Sequence, residues 1–227
     1  MAKMSKPRGK CAFCGRELTR GGMTRHLAAC PERKEAIAAA EQAQGRRQQL
    51  HHLVAHDAGW GGYWLHLEMS GASNLFELDD YLRRILLECC GHLSEFTTGG
   101  WGSRELSLRS KISTVLQPGT TLTHLYDFGT TSYTTIRSIS VRRGKPLNEH
   151  PILLMARNNP LEFVCQECGQ PATWLCTECI YEHEQDGLLC DTHAESHPHD
   201  DYGGPMPIVN SPRIGMCGYC GPAEPPY

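Results

Sequence analysis

The chain has 227 residues, 12 of them cysteine, and carries 22 Lys/Arg against 25 Asp/Glu for a net charge of −3. That length leaves room for one sizeable core with small modules beside it, and no stretch approaches the roughly 18 apolar residues that a membrane-spanning helix needs. The basic start MAKMSKPRGK is not followed by the apolar run of a secretory signal, so Cys-x2-Cys spacing points to metal thiolates in a reducing cytoplasm rather than to disulfides.

Charge is divided unevenly. Residues 1–50 hold 11 Lys/Arg and 4 Asp/Glu, whereas Glu162 to Asp201 carries ten acidic residues with no Lys or Arg. A polyanion suits the first part and is repelled by the last.

In chain order, residues 8–31 read as a small zinc finger. Cys11-x2-Cys14 brings two thiolates to one tetrahedral ion, and His26 with Cys30, four apart on one helical face, closes the set. Gly21-Gly22 marks the entry to a helix from Met23 to Cys30, with Met23 and Leu27 packing on Phe13. Lys10, Arg16, Arg20 and Arg25 are its candidate nucleic-acid contacts, DNA or RNA, with Lys3, Lys6 and Arg8 as a basic tail. From Glu32 to about Gln49 the Ala/Gln/Arg-rich sequence predicts a helix without an apolar stripe. Residues 32–58 are therefore expected to be an exposed helical spacer.

The middle part, 59–158, has the pattern of an α+β domain. Leu65, Leu67 and Met69 alternate with His66 and Glu68, which predicts a half-buried strand. Asn74 and Glu77 make a capping box, and Leu75, Leu78, Leu82, Ile85, Leu86 and Cys89 mark one helical face that Gly91 ends. Lys111 to Gln117 predicts a short helix stopped by Pro118-Gly119. Leu122 to Phe128 and Tyr133 to Val141 predict a hairpin turning at Gly129-Thr130-Thr131.

Residues 162–222 are the second cysteine-rich part. Cys165-x2-Cys168, Cys176-x2-Cys179, Cys190-x2-His193 and His197-x-His199 supply eight donors, and Cys217-x2-Cys220 follows as a competing closing pair or a Gly-rich turn. Ten cysteines fall in such sets, while Cys89 and Cys90 do not and read as buried small apolar side chains. About three zincs per chain are expected.

No residue is assigned a catalytic role. His52-x3-His56 has the spacing of a zinc-protease helix but no glutamate between, so it reads as a solvated pair. Asp127 reads as a turn partner. Thiolate-rich sets of four leave no open position on a metal, which makes an enzyme the weaker reading.

Several segments carry a resemblance. "HLSEF", "YDFG" at Tyr126 to Gly129 and "IRSISV" resemble the plasmid pRiA4b ORF-3-like family, often named after an insertion-element passenger protein. "GMTRHLAAC", "CQECGQPAT", "LCDTH" and "VNSPRIGMCGY" are similar to a subgroup with zinc modules at both ends. The resemblance implies a fold and an architecture, not an activity. Where many members follow "YDFG" with Asp, Trp and His, this chain has Thr130, Ser132 and Thr134. The C-terminal module resembles a B-box-type zinc fold, which implies crossed pairing. Cys165, Cys168, Cys190 and His193 would form one site, and Cys176, Cys179, His197 and His199 the other. Function then reads as a cytoplasmic zinc adaptor, with nucleic acid at the basic end and an unidentified protein partner at the acidic end. The alternatives are a scaffold that binds protein alone and, as the weaker reading, a hydrolase or recombinase-related enzyme.

Overall fold

The computed structural model of the chain describes residues 6–59, 61–88, 90–219 and 223–227. Its first half contains β1 (Arg8–Cys11), β2 (Glu17–Thr19), α1 (Arg20–Ala29), α2 (Pro31–Gln42), β3 (Gln48–Asp57), β4 (Trp64–Ser70) and α3 (Leu75–Ile85). Next come β5 (Ser94–Thr97), β6 (Glu105–Leu106), α4 (Ile112–Val115), β7 (Thr121–Tyr126), β8 (Ser132–Gly144) and β9 (Ile152–Asn158). The C-terminal part holds β10 (Trp174–Leu175), α5 (Thr177–His183), β11 (Leu188–Leu189), α6 (Asp191–Glu195) and β12 (Met206–Pro207).

Helix and strand mix around one large antiparallel sheet, ordered β2-β1-β9-β4-β3-β8-β7-β5-β6 among the described residues. A second sheet, β11-β10-β12, belongs to the C-terminal part. No helix among the described residues is long and apolar enough to cross a membrane.

Alternation along β3 and β4 sets the two faces of the sheet. Leu53, Ala55, Leu65, Leu67 and Met69 point to one side, where they meet Leu75, Leu78, Leu82 and Ile85 of α3. The start of α3 is fixed by the expected capping box. Asn74 Oδ1 accepts from Glu77 N at 3.1 Å, and Glu77 Oε2 accepts from Asn74 N at 2.9 Å. The β7–β8 hairpin also forms as expected, pairing Tyr126 with Ser132.

The opposite face is covered as well, which the alternation did not predict. Trp64 of β4 joins Met155 and Ala156 of β9, Met23 and Leu27 of α1, and the sulfur-bearing Cys11 and Cys30 in a second apolar cluster. His66 is fully buried and Glu68 nearly so. The expectation of a half-buried strand is therefore corrected. The polar positions of β4 lie beneath α1 and α2, where each finds a partner: Glu68 accepts from Arg33 at 2.9 Å and from Arg142 Nε at 2.8 Å, and His66 meets His52 at 2.9 Å.

Two further expectations change. Residues 32–58 are not a helical spacer throughout: α2 ends at Gln42, and 48–57 form β3, hydrogen-bonded to β4 on one side and β8 on the other. His52 and His56 thus sit on a strand rather than on a helix, and His52 is buried instead of solvated. Two strands donating to both edges outweigh the weak helical preference of a polar segment. Helix α1 begins at Arg20, three residues earlier than the glycines suggested, because Thr19 caps it by accepting from Gly22 N. Helix α3 stops at Ile85, well short of Gly91, with Leu87 at φ 52 just past its end. Cys89 lies outside the described residues, and Cys90 is exposed rather than buried, since the helix that would have turned it inward has already ended.

The N-terminal part is built into the sheet through β1, whose Gly9 faces Asn158 and whose Lys10 faces Arg157 of β9. A Cβ placed on Gly9 would stand 1.9 Å from the Arg157 carbonyl oxygen. Backbone cannot step aside as a side chain can. Gly9→Ala is expected to destabilise the protein by about 1–3 kcal/mol. Amide exchange should rise first in β1 and at residues 156–158. Unchanged protection there would show that β1 tolerates a wider gap.

The histidine pair gives a pH dependence. Burial first, then the Arg33 charge, holds His52 down to about 4, and burial with His52 beside it holds His66 to about 3, from 6.5. The unfolded chain takes up these protons near its ordinary value while the folded chain resists. Stability is therefore full above about pH 6.5 and falls as pH drops toward 4. The double variant His52→Gln, His66→Gln should show a shallower loss over that window in urea midpoints. Identical slopes would place the acid sensitivity elsewhere.

Candidate metal centres

Three groups of four donors assemble, each with its ligand atoms all within 4.8 Å of one another. The first is Cys11, Cys14, His26 and Cys30. Its knuckle is a tight turn after β1: Gly15 N donates to Cys11 O at 2.9 Å with Gly15 at φ 72, a left-handed position suited to glycine. Helix α1 then carries His26 to Cys14, with Nε2 3.2 Å from Sγ, and delivers Cys30 just beyond its end.

The second and third groups are Cys165, Cys168, Cys190, His193 and Cys176, Cys179, His197, His199. These are the crossed sets that the B-box resemblance implied. Cys165 and Cys168 repeat the first knuckle, with Gly169 N donating to Cys165 O at 2.8 Å and Gly169 at φ 70. The β10–β11 pairing of Trp174 with Leu189 carries Cys190 and His193 back to them. Cys176 caps α5 and places Cys179 in its first turn, and the segment after α6 returns His197 and His199. His183 stacks on His199 with ring centroids 4.5 Å apart, and forms a further possible donor group with Glu178 and His199. Neither His183 nor Glu178 belongs to a Cys-x2-Cys or Cys-x2-His spacing.

Distances within the groups carry chemical information. A tetrahedral zinc at about 2.3 Å from sulfur and about 2.0–2.1 Å from nitrogen puts S···S near ~3.8 Å, S···N near ~3.6 Å and N···N near ~3.3 Å. Cys168 Sγ and Cys190 Sγ are 3.8 Å apart. Cys165 Sγ is 3.5 Å and Cys190 Sγ 3.2 Å from His193 Nδ1. Cys176 Sγ lies 3.8 Å from His199 Nδ1, Cys179 Sγ 3.2 Å from His197 Nε2, and the two imidazole nitrogens 3.2 Å from each other. These are edges of a tetrahedron and far longer than a disulfide of about 2.05 Å. The eight cysteines of the three groups form no disulfide. Burial pushes the Cys30 thiol up to about 12 and that of Cys179 to about 11. In the second group burial raises the Cys165 thiol but backbone hydrogen bonds lower it further, to about 6. A divalent ion stabilises thiolates in all three groups. The donor sets fit zinc.

No protein-family model matches the chain, and no curated protein matches it in sequence. The pRiA4b ORF-3-like resemblance gains no support from them. Among solved structures, the chain is similar to a protein of unknown function, MM3350 from Methanosarcina mazei Go1, at 16% identity. The match covers 55% of this chain and 76% of that one, with a TM-score of 0.43.

The basic candidates differ in placement. Arg16 and Arg25 are exposed, on the knuckle and on α1. Lys10 is exposed but lies 3.7 Å from Glu17. Arg20 turns inward, toward Gly61 and the charge of Asp57, and burial holds its pKa below the usual guanidinium value. Lys3 lies outside the described residues, as does Cys220. Asp127 closes the β7–β8 turn at φ 64, accepting from Gly129 N at 3.1 Å and Thr130 N at 3.3 Å, and it also accepts from Arg213 at 3.0 Å.

Buried polar side chains also gather beneath α3. His124 Nε2 lies 2.8 Å from Asp79 Oδ1, which accepts from Ser94 Oγ at 2.7 Å, while Arg83 Nε donates to Asp79 Oδ2 at 2.8 Å. His124 is fully buried and Asp79 nearly so. They link α3 to β5 and β7 as an internal polar tie.

The segment that carries the C-terminal groups has little apolar core of its own, chiefly Leu189 with Trp174 and Ala194 beside the sulfurs. Chelation should therefore unfold this part first. Structural zinc supplies roughly 10–16 kcal/mol of apparent free energy in small finger peptides. Cys168→Ser is expected to abolish amide protection in β10, β11 and α5 while the α3-covered core keeps its protection. Simultaneous loss of both would show one cooperative unit.

Proposed function

We propose that this protein is a non-enzymatic zinc-held adaptor that contacts nucleic acid through its basic N-terminal part and protein through its acidic C-terminal module. The observation that carries it is that each of the three groups offers four donors, at least two of them sulfur. A metal bound by four such donors has no vacant position for water or substrate and only weak Lewis acidity, so its work is to shape a surface.

Charge then separates the partners. On the N-terminal side, Arg16 and Arg25 project from metal-held elements, and Arg46 and Arg47 are exposed after α2. Arg47 also donates to the Arg143 carbonyl at 3.1 Å, which brings a β8 arginine beside this run. Phosphates favour such a surface. The C-terminal module instead exposes Glu167, Glu182, Glu184, Asp186, Glu195 and Asp200, with Tyr181 57% and Tyr202 51% exposed among them. Aromatic side chains inside an acidic rim suit a basic protein segment.

A second reading, a scaffold for protein alone, is favoured by one observation: Arg20 faces inward and Lys10 is paired, which thins the basic surface of the finger. Titration of labelled single- and double-stranded oligonucleotides separates the two. Because β1 and β3 belong to the sheet, the test uses charge reversal rather than truncation. Nucleic-acid binding should weaken with salt, with a log-log slope of magnitude about 2 to 4. Arg16→Glu with Arg25→Glu should weaken all sequences alike and lower that slope by about 1 per residue. No binding at low salt would leave the protein-only scaffold.

A further inference from the structure

We propose a fourth metal site, formed by Cys90, His92 and Cys217, that fastens the C-terminal segment to the central sheet. The ligand atoms of these three residues lie within 4.8 Å of one another. They come from segments more than a hundred residues apart in sequence, so proximity is a product of the fold. The soft donors, two sulfurs and an imidazole, select zinc or a similar thiophilic divalent ion over magnesium or calcium.

Three independent features point to a ligand there. His92 Nδ1 is buried and has no hydrogen-bond partner, an unusual state for an imidazole nitrogen unless something else binds there. Asp127 Oδ2 stands 3.8 Å from the same nitrogen, too far to accept a hydrogen bond from it. Next, Arg213 is 1% exposed and aims its guanidinium at Cys217, donating from Nη2 to Sγ at 3.4 Å and to Asp127 at 3.0 Å. Finally, the sequence repeats its own knuckle. Cys11-x2-Cys14-Gly15 and Cys165-x2-Cys168-Gly169 both build four-donor groups, and Cys217-x2-Cys220-Gly221 has the same form.

The surroundings are built to receive this segment. Arg213 also donates to the Thr130 carbonyl at 2.9 Å and Ser132 Oγ at 3.0 Å, reaching across the β7–β8 turn. Ser211 Oγ donates to the Leu86 carbonyl at the end of α3. Asn210 exchanges hydrogen bonds with Asn158 of β9. A metal at Cys217 would lock the far end of a strap that these contacts already lay down. This inference goes beyond the proposed function and does not rest on it.

Metal analysis of the purified full chain tests it. Wild type should carry about four thiophilic ions, one beyond the three four-donor groups. His92→Gln with Cys217→Ser should lose one equivalent and keep the others. Equal metal content in the two proteins would overturn the proposal. Should the variant not fold, cobalt titration of the metal-free wild type decides. A fourth equivalent with sulfur-to-cobalt charge-transfer absorption supports the site, and saturation at three overturns it.

Discussion

Glu68 sets the terms on which this fold can exist. It stands in the middle of the sheet with its side chain 3% exposed, and a carboxylate there must be neutralised or the strand cannot be buried. Arg142 from β8 and Arg33 from α2 do this together, one from within the sheet and one from above it. The pairing also decides where α2 lies. With Arg33 held at Glu68 and donating to the Leu27 carbonyl at 2.9 Å, α1 and α2 are fixed over the second face of β4. Burial first, and the Arg33 charge after it, oppose protonation of His52. Two covered faces follow from one buried anion.

Much of this was legible in short-range sequence and little of it in long-range polarity. The capping box at Asn74, the apolar stripe of α3 and the β7–β8 hairpin are local features, each set by residues within a few positions of one another. Residues such as His52, His66 and Glu68 read as solvent-facing because nothing nearby in the chain pairs with them. Their partners are distant: His66 for His52, Arg142 and Arg33 for Glu68. The same blindness turned β3 into a spacer. Its neighbours β4 and β8 supply the hydrogen bonds that make it a strand, and a register shift between His52 and Leu53 blurs the alternation further.

Donor residues behaved differently. A Cys-x2-Cys turn is local chemistry, and the spacing that lets two sulfurs face one ion is visible without any fold. Which distant pair completes each set is not visible that way. The crossed arrangement came from likeness to B-box modules, and the geometry joins those same residues. Cys90 and His92 carry no knuckle and stand just past a helix whose end was itself misplaced by several residues. Their meeting with Cys217 depends on Arg213 reaching Asp127, a contact between residues 86 positions apart.

The end of β9 is where these parts become one structure. Arg157 and Asn158 face Lys10 and Gly9 of β1, so the N-terminal knuckle hangs on their backbone. The Asn158 side chain accepts from Trp64 N at 2.8 Å, fixing β4, and donates to Asn210 Oδ1 at 2.8 Å, fixing the C-terminal strap. Arg157 donates to the Ile85 carbonyl at 3.2 Å and to the carbonyls of Asn210 and Ala223. A finger separated by a flexible linker could tilt to suit a partner without disturbing anything else. Here, tilting the knuckle would drag residues 156–158 out of register and break hydrogen bonds to β4 and the strap together. The knuckle of the first donor group and the C-terminal strap are thus carried on one strand, so the sheet sets the orientation of both.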